Sequence, residues 1–129
     1  MKKHGILNRH LSGALASLGH TDGVLVCDAG MPIPEGPRVV DLAFTAGVPS
    51  FAAVLEGLLA ELAVEGATAA EEVRDANPAA ASLLSGHFPD LAYVPHERLK
   101  RLTSGARLVV RTGEASPYAN VLLRCGVFF

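Results

Sequence analysis

The chain has 129 residues, enough for one domain spanning 1–129 and too few for a second core. Half of the residues are hydrophobic, 19% are charged, aromatics make up 5%, Trp is absent and the net charge is −2. Without a basic face or stacking aromatics the composition excludes a nucleic-acid binder, and no run reaches ~20 uninterrupted apolar residues, so no membrane span is expected.

A mean hydropathy of +0.32 is high for so short a chain. Small domains keep a large surface for their volume, so other subunits are expected to cover part of this apolar excess, giving a homo-oligomer. The N-terminus opens with the basic pair Lys2-Lys3, but Asn8-Arg9-His10 interrupts any apolar signal segment, which leads to the expectation of a cytoplasmic protein. Cys27 and Cys125 both lie in apolar runs and read as free buried thiols. Neither Cys-x-x-Cys nor His-x-x-x-His occurs, so no dedicated metal site is expected.

Leu11, Leu15 and Leu18 recur at helical spacing after Asn8, a suitable N-cap, and Gly19 is expected to end that helix in a left-handed conformation. Residues 23–28 form an apolar run bounded by Gly23 and Asp28, as in a strand covered on both faces. A stiff loop with Pro32 and Pro34 follows, then a short strand over 39–42. Ser50 caps a helix whose apolar face is Phe51, Val54, Leu55, Leu58, Leu59 and Leu62.

Residues 64–73 are ambiguous. Their Ala and Glu content favours helix, against Gly66 and Thr68. Asn77-Pro78 starts another helix, 91–94 is a short strand, and residues 96–102 make a turn or two of helix closed by Gly105. Strands follow at 108–110 and from Val121, with the polar loop 112–120 between them. Strands alternating with helices predict a three-layer α/β/α domain around a central, largely parallel or mixed sheet. In such folds chemistry gathers in polar loops at strand ends, here near His20, Asp28, His96 and Tyr118.

His20 precedes Thr21-Asp22 and carries the side chain best able to give and take a proton near neutral pH, although a surface loop also accommodates histidine. Asp22 could orient it or simply begin a turn. Asp28 ends a buried strand, where a carboxylate must be partnered or open to a cleft. His96 could bind a ligand or cap a helix. Tyr118 and Asn120, two residues apart in an extended segment, would present polar groups on one side, as a sugar requires. Ser116 with His20 and Asp28 has the composition of a triad, but Gly-x-Ser-x-Gly is absent and Pro117 follows Ser116 directly. No glycine pattern forms a phosphate loop, and His4, His10 and His87 read as solvent-facing.

Taken together, Leu18-Gly19-His20-Thr21-Asp22, Val26-Cys27-Asp28-Ala29-Gly30, Gly47-Val48-Pro49-Ser50-Phe51, Asn77-Pro78, His96-Glu97, Thr112-Gly113-Glu114 and Ser116-Pro117-Tyr118-Ala119-Asn120 follow one order. Nearly end to end, the chain resembles the ribose branch of the family that holds D-ribose pyranase and L-fucose mutarotase. The segment 86–93 is shorter than in many members. The resemblance implies cofactor-free interconversion of β-D-ribopyranose and β-D-ribofuranose, with His20 as proton donor and Asp28, His96, Tyr118, Ala119 and Asn120 contacting the sugar. It also implies ring-shaped pentamers, often stacked as decamers, with sites between subunits, and a strand at 64–72 despite the helical propensity. Two other readings stay open: mutarotation of a sugar such as L-fucose, and a ribose-binding accessory protein of uptake without turnover. No candidate for the general base emerges from the residues.

Overall fold

The computed structural model describes all residues 1–129. Its elements in chain order are α1 (Arg9–Ala16), β1 (Gly23–Cys27), β2 (Arg38–Asp41), α2 (Phe51–Leu59), β3 (Val64–Ala70), α3 (Val73–Ala76), α4 (Pro78–His87), β4 (Ala92–Val94), α5 (His96–Thr103), β5 (Leu108–Arg111) and β6 (Val121–Cys125). The six strands form one mixed sheet in the order β2-β5-β1-β6-β3-β4. β6 runs antiparallel to both its neighbours, β1 and β3, while the β2–β5, β5–β1 and β3–β4 pairs are parallel. Five strands therefore point the same way. Their carboxyl ends share one edge of the sheet with the start of β6, and the opposite edge collects their amino ends and the end of β6.

The caps legible in the sequence close the helices as expected. Asn8 accepts the backbone N–H groups of His10 and Leu11, Ser50 accepts that of Ala53, and Asn77 that of Ala80. Alternating residues of β1 face two layers. Val24 and Val26 pack with Leu11 and Leu15 of α1, Phe51, Leu55 and Leu58 of α2, and Leu84 of α4. Leu25 and Cys27 pack on the other side with Val109, Ala70 and Leu99 of α5. Helices thus lie on both faces, but unequally: α5 alone serves the second. The strip it leaves uncovered is a cavity of about 490 Å³ bordered by Gly23, Thr68, Ala92, Leu102, Leu122 and Arg124. No helix is long and apolar enough to cross a membrane.

Two expectations change, and an ambiguous segment resolves. α1 ends at Ala16, where Ser17 caps it, and Gly19 does not adopt the left-handed backbone; Thr21 does, at φ 70°. Residues 64–70, ambiguous by composition, are a strand as the resemblance implied, because pairing with β6 on one side and β4 on the other outweighs helical propensity. The single turn α3 then precedes α4 where no separate element was foreseen.

Candidate functional site

At the carboxyl edge, β1 delivers Asp28 and the entry to β6 delivers Asn120. The two clasp each other: the Asp28 N–H donates to Asn120 Oδ1 at 2.9 Å, and Asn120 Nδ2 donates to Asp28 Oδ2 at 2.8 Å. Asn120 is fully buried, so this reciprocal pair fixes the orientation of its amide. The other Asp28 oxygen accepts the Gly30 N–H at 2.9 Å. An unpaired carboxylate here would be costly, and the sequence left open whether Asp28 serves structure or site. It caps its loop and borders a cleft of about 270 Å³ shared with Gly30, Glu114, Ser116 and Pro117.

The surrounding loops are tied down by polar side chains. Arg111 donates to the Ala29 carbonyl and to the Asp41 carboxylate, and the buried Thr112 hydroxyl donates to the Cys27 carbonyl at 2.8 Å. Glu114 accepts the Phe51 N–H at 3.0 Å and the Ser116 hydroxyl at 2.9 Å. The Phe51 bond is the largest influence lowering its pKa; burial opposes it and the Ser116 groups add to it. Asn77, beyond capping α4, donates to Ser116 Oγ and the Pro117 carbonyl, both at 2.8 Å. Cys27, next to Asp28, is a poor nucleophile: burial and then the Asp28 charge push its thiol up to about 12.

Tyr118 departs from the extended backbone expected of it. Its φ is +56°, and the Asn120 N–H folds back to the Tyr118 carbonyl at 2.9 Å. Side-chain alternation therefore does not apply. Asn120 turns inward to Asp28, Ala119 is buried, and Tyr118 lies edge-on to the His96 ring with centroids 5.1 Å apart. A bulky residue in this conformation is held only where its surroundings impose it, as at binding sites. His96 is positioned by Glu72, whose two oxygens accept its backbone N–H at 3.1 and 3.0 Å. Its ring Nδ1 is buried and lacks a hydrogen-bond partner within the chain. Buried polar atoms are rarely left so.

His20 stands elsewhere. It precedes β1, whereas Asp28 follows it, and the five residues of β1 span about 16 Å at the usual strand rise. The structure brings Asp28, His96, Tyr118, Ala119 and Asn120 together and leaves His20 at the opposite, amino edge. There its side chain is 54% exposed, and Nε2 lies 3.0 Å from Glu65 Oε2. Asp22 does not orient it: its carboxylate accepts the Gly19 N–H at 2.8 Å and so makes a turn. Thr21, in its left-handed conformation, donates its N–H to the Cys125 carbonyl at 2.8 Å. A cavity of about 290 Å³ lies beside His20, bordered by Leu18, Leu62, Cys125, Phe128 and Phe129. The sequence assigned no role to Glu65, Glu72 or Glu114, since their partners lie 45, 24 and 63 residues away.

The model of the RbsD / FucU transport protein family matches residues 1–128. The chain belongs to this family. A relative named D-ribose pyranase, from Streptomyces coelicolor, is 80% identical over 129 residues, the whole of both chains. Among solved structures, Bacillus subtilis RbsD complexed with D-ribose is 46% identical, with a TM-score of 0.94 and full coverage of both chains. The fucose mutarotase of Streptococcus pneumoniae, solved with L-fucose, is 21% identical at a TM-score of 0.85, covering 99% of this chain and 100% of that one, and shares the fold.

Proposed function

We propose that this chain is an isomerase that interconverts the pyranose and furanose forms of D-ribose. The full-length identity of 80% to a D-ribose pyranase carries this reading. The 46% identical neighbour solved with D-ribose favours ribose over fucose, whose mutarotase is only 21% identical.

Changing ring size requires opening the hemiacetal. The ring oxygen gains a proton, the anomeric hydroxyl loses one, and the aldehyde recloses through a different hydroxyl. No electrons and no group leave the sugar, so the reaction calls for no cofactor. His20 supplies the acid. Asp28 keeps lone pairs free beyond its bonds to Gly30 and Asn120, and with His96 Nδ1 it can hold sugar hydroxyls while C1 meets its new partner. The Tyr118-Ala119-Asn120 segment would supply the remaining contacts to the sugar.

Because His20 and the Asp28 cluster sit at opposite edges of one sheet, a working site combines the amino edge of one subunit with the carboxyl edge of the next. Joining two different patches is a heterologous contact, which generates a ring where its rotation closes. A pentameric ring, alone or stacked into a decamer, is our reading of the assembly. Exposed apolar residues accompany both patches: Phe44 and Val48 at the carboxyl edge, Val127, Phe128 and Phe129 near His20. Burying them would account for the apolar excess of the composition. We place the reaction in the cytoplasm, where the unpaired thiols Cys27 and Cys125 would stay reduced.

Saturation-transfer NMR on equilibrated D-ribose tests the proposal. The protein is expected to accelerate pyranose–furanose exchange, and His20→Ala to lose most of that acceleration. Tight ribose binding without faster exchange would contradict it and favour the accessory-protein reading.

A further inference from the structure

Resting on the reading above that His20 is the acid, we propose that Glu65 is its positioning residue, holding Nε2 and leaving Nδ1 to exchange the proton with the sugar. The first support is where β3 breaks its ladder. Its register against β6 shifts between Val64 and Gly66, a bulge that takes Glu65 out of the regular pairing. Bulges commonly re-aim a side chain beside an active site.

The second support is the carboxylate itself, each of whose oxygens has its own partner. Oε2 lies 3.0 Å from His20 Nε2, and Oε1 lies 2.9 Å from Arg124 Nε. The group cannot turn without losing one contact. Gly126 contributes by lacking a side chain, since a Cβ there would stand 3.2 Å from the Glu65 Cβ. The competing carboxylate, Asp22, is committed to the Gly19 N–H.

An exposed histidine on a loop samples several rotamers, and ordering it has an entropic cost. A tether from the neighbouring strand meets that cost before the sugar arrives. The contact also selects the tautomer. With a carboxylate on Nε2, that nitrogen carries the hydrogen, and Nδ1 accepts a proton in the neutral ring and donates it in the imidazolium. One atom can then serve both directions of a reversible ring opening. Glu65 touches no reacting atom and works only through His20.

The test is a double-mutant cycle in the exchange assay, run over a range of ribose concentrations. Glu65→Ala is expected to lower kcat about tenfold or more with KM within about twofold, as for loss of a contact that matters only in the transition state. Glu65→Gln, whose amide oxygen can still accept from Nε2, is expected to recover much of the loss. In a His20→Ala background, Glu65→Ala should change the residual rate by less than about twofold, because coupled residues are non-additive. Wild-type kcat in Glu65→Ala would overturn the proposal. So would an equal fold-loss in both backgrounds, which is the mark of a merely structural role. If His20→Ala alone keeps full activity, the functional reading fails first, and that result is read before any Glu65 variant.

Discussion

The two edges of the sheet are built differently. At the carboxyl edge Asp28, Asn120, Thr112, Glu114 and Asn77 form a dense set of hydrogen bonds around residues that are mostly buried. At the amino edge His20 is exposed and held by one hydrogen-bonding contact to Glu65, itself braced by Arg124. Both edges carry a non-glycine residue at positive φ, Tyr118 at one and Thr21 at the other. Under the proposed function the contrast separates two tasks. A sugar pocket needs fixed hydroxyl partners, and a dense hydrogen-bond network around buried polar groups supplies that rigidity. A proton-transfer group needs access and orientation, which one tether at an open edge supplies. Stability and activity should accordingly respond to different residues.

His20→Ala gives the largest effect and the sharpest contrast. Exchange should fall about 10²–10⁴-fold, the usual worth of a positioned acid or base, while the thermal midpoint at fixed protein concentration stays the same. A large loss of stability would show that the amino edge is structural after all. Asn120→Leu should behave in the opposite manner. It leaves the Asp28 N–H and carboxylate without their partner, and unfolding in urea should show a loss of about 1–3 kcal/mol together with weakened ribose binding. Unchanged stability would mean that this clasp does not hold the carboxyl edge.

A smaller effect is expected at Glu114, visible as pH dependence. Its folded pKa lies below the ordinary 4.5, first through the Phe51 N–H bond. The sign follows: the stability it contributes is fully present above 4.5 and is lost as pH falls through the lower folded value. The difference between wild type and Glu114→Gln should hold constant near neutrality and shrink in acid below that range. A difference independent of pH would remove Glu114 from the account.

Much of this architecture was legible in the sequence because it is local. Asn8, Ser50 and Asn77 announce helix starts through their own side chains, and the apolar run of β1 announces a strand buried on both faces. Residues 64–70 were not, since Ala and Glu favour helix and only the neighbouring strands β6 and β4 decide otherwise. Tyr118 was misjudged as extended, because nothing in Ser-Pro-Tyr-Ala-Asn marks the left-handed turn that aims Asn120 at Asp28. The strand-end rule grouped Asp28, His96 and Tyr118 as the structure does, but it also included His20, which lies at the amino edge because it precedes β1 rather than following it. Glu65 was missed for a physical reason: its proposed role depends on a bulge and on a partner 45 residues away.

The central claim is that the two edges meet between subunits. Co-expressing His20→Ala with Asp28→Ala, each inactive alone, tests it most directly. If a site takes His20 from one subunit and Asp28 from its neighbour, random mixing in a ring restores about a quarter of the sites, and exchange activity returns in proportion. Mixed oligomers that stay as inactive as either parent would contradict the account.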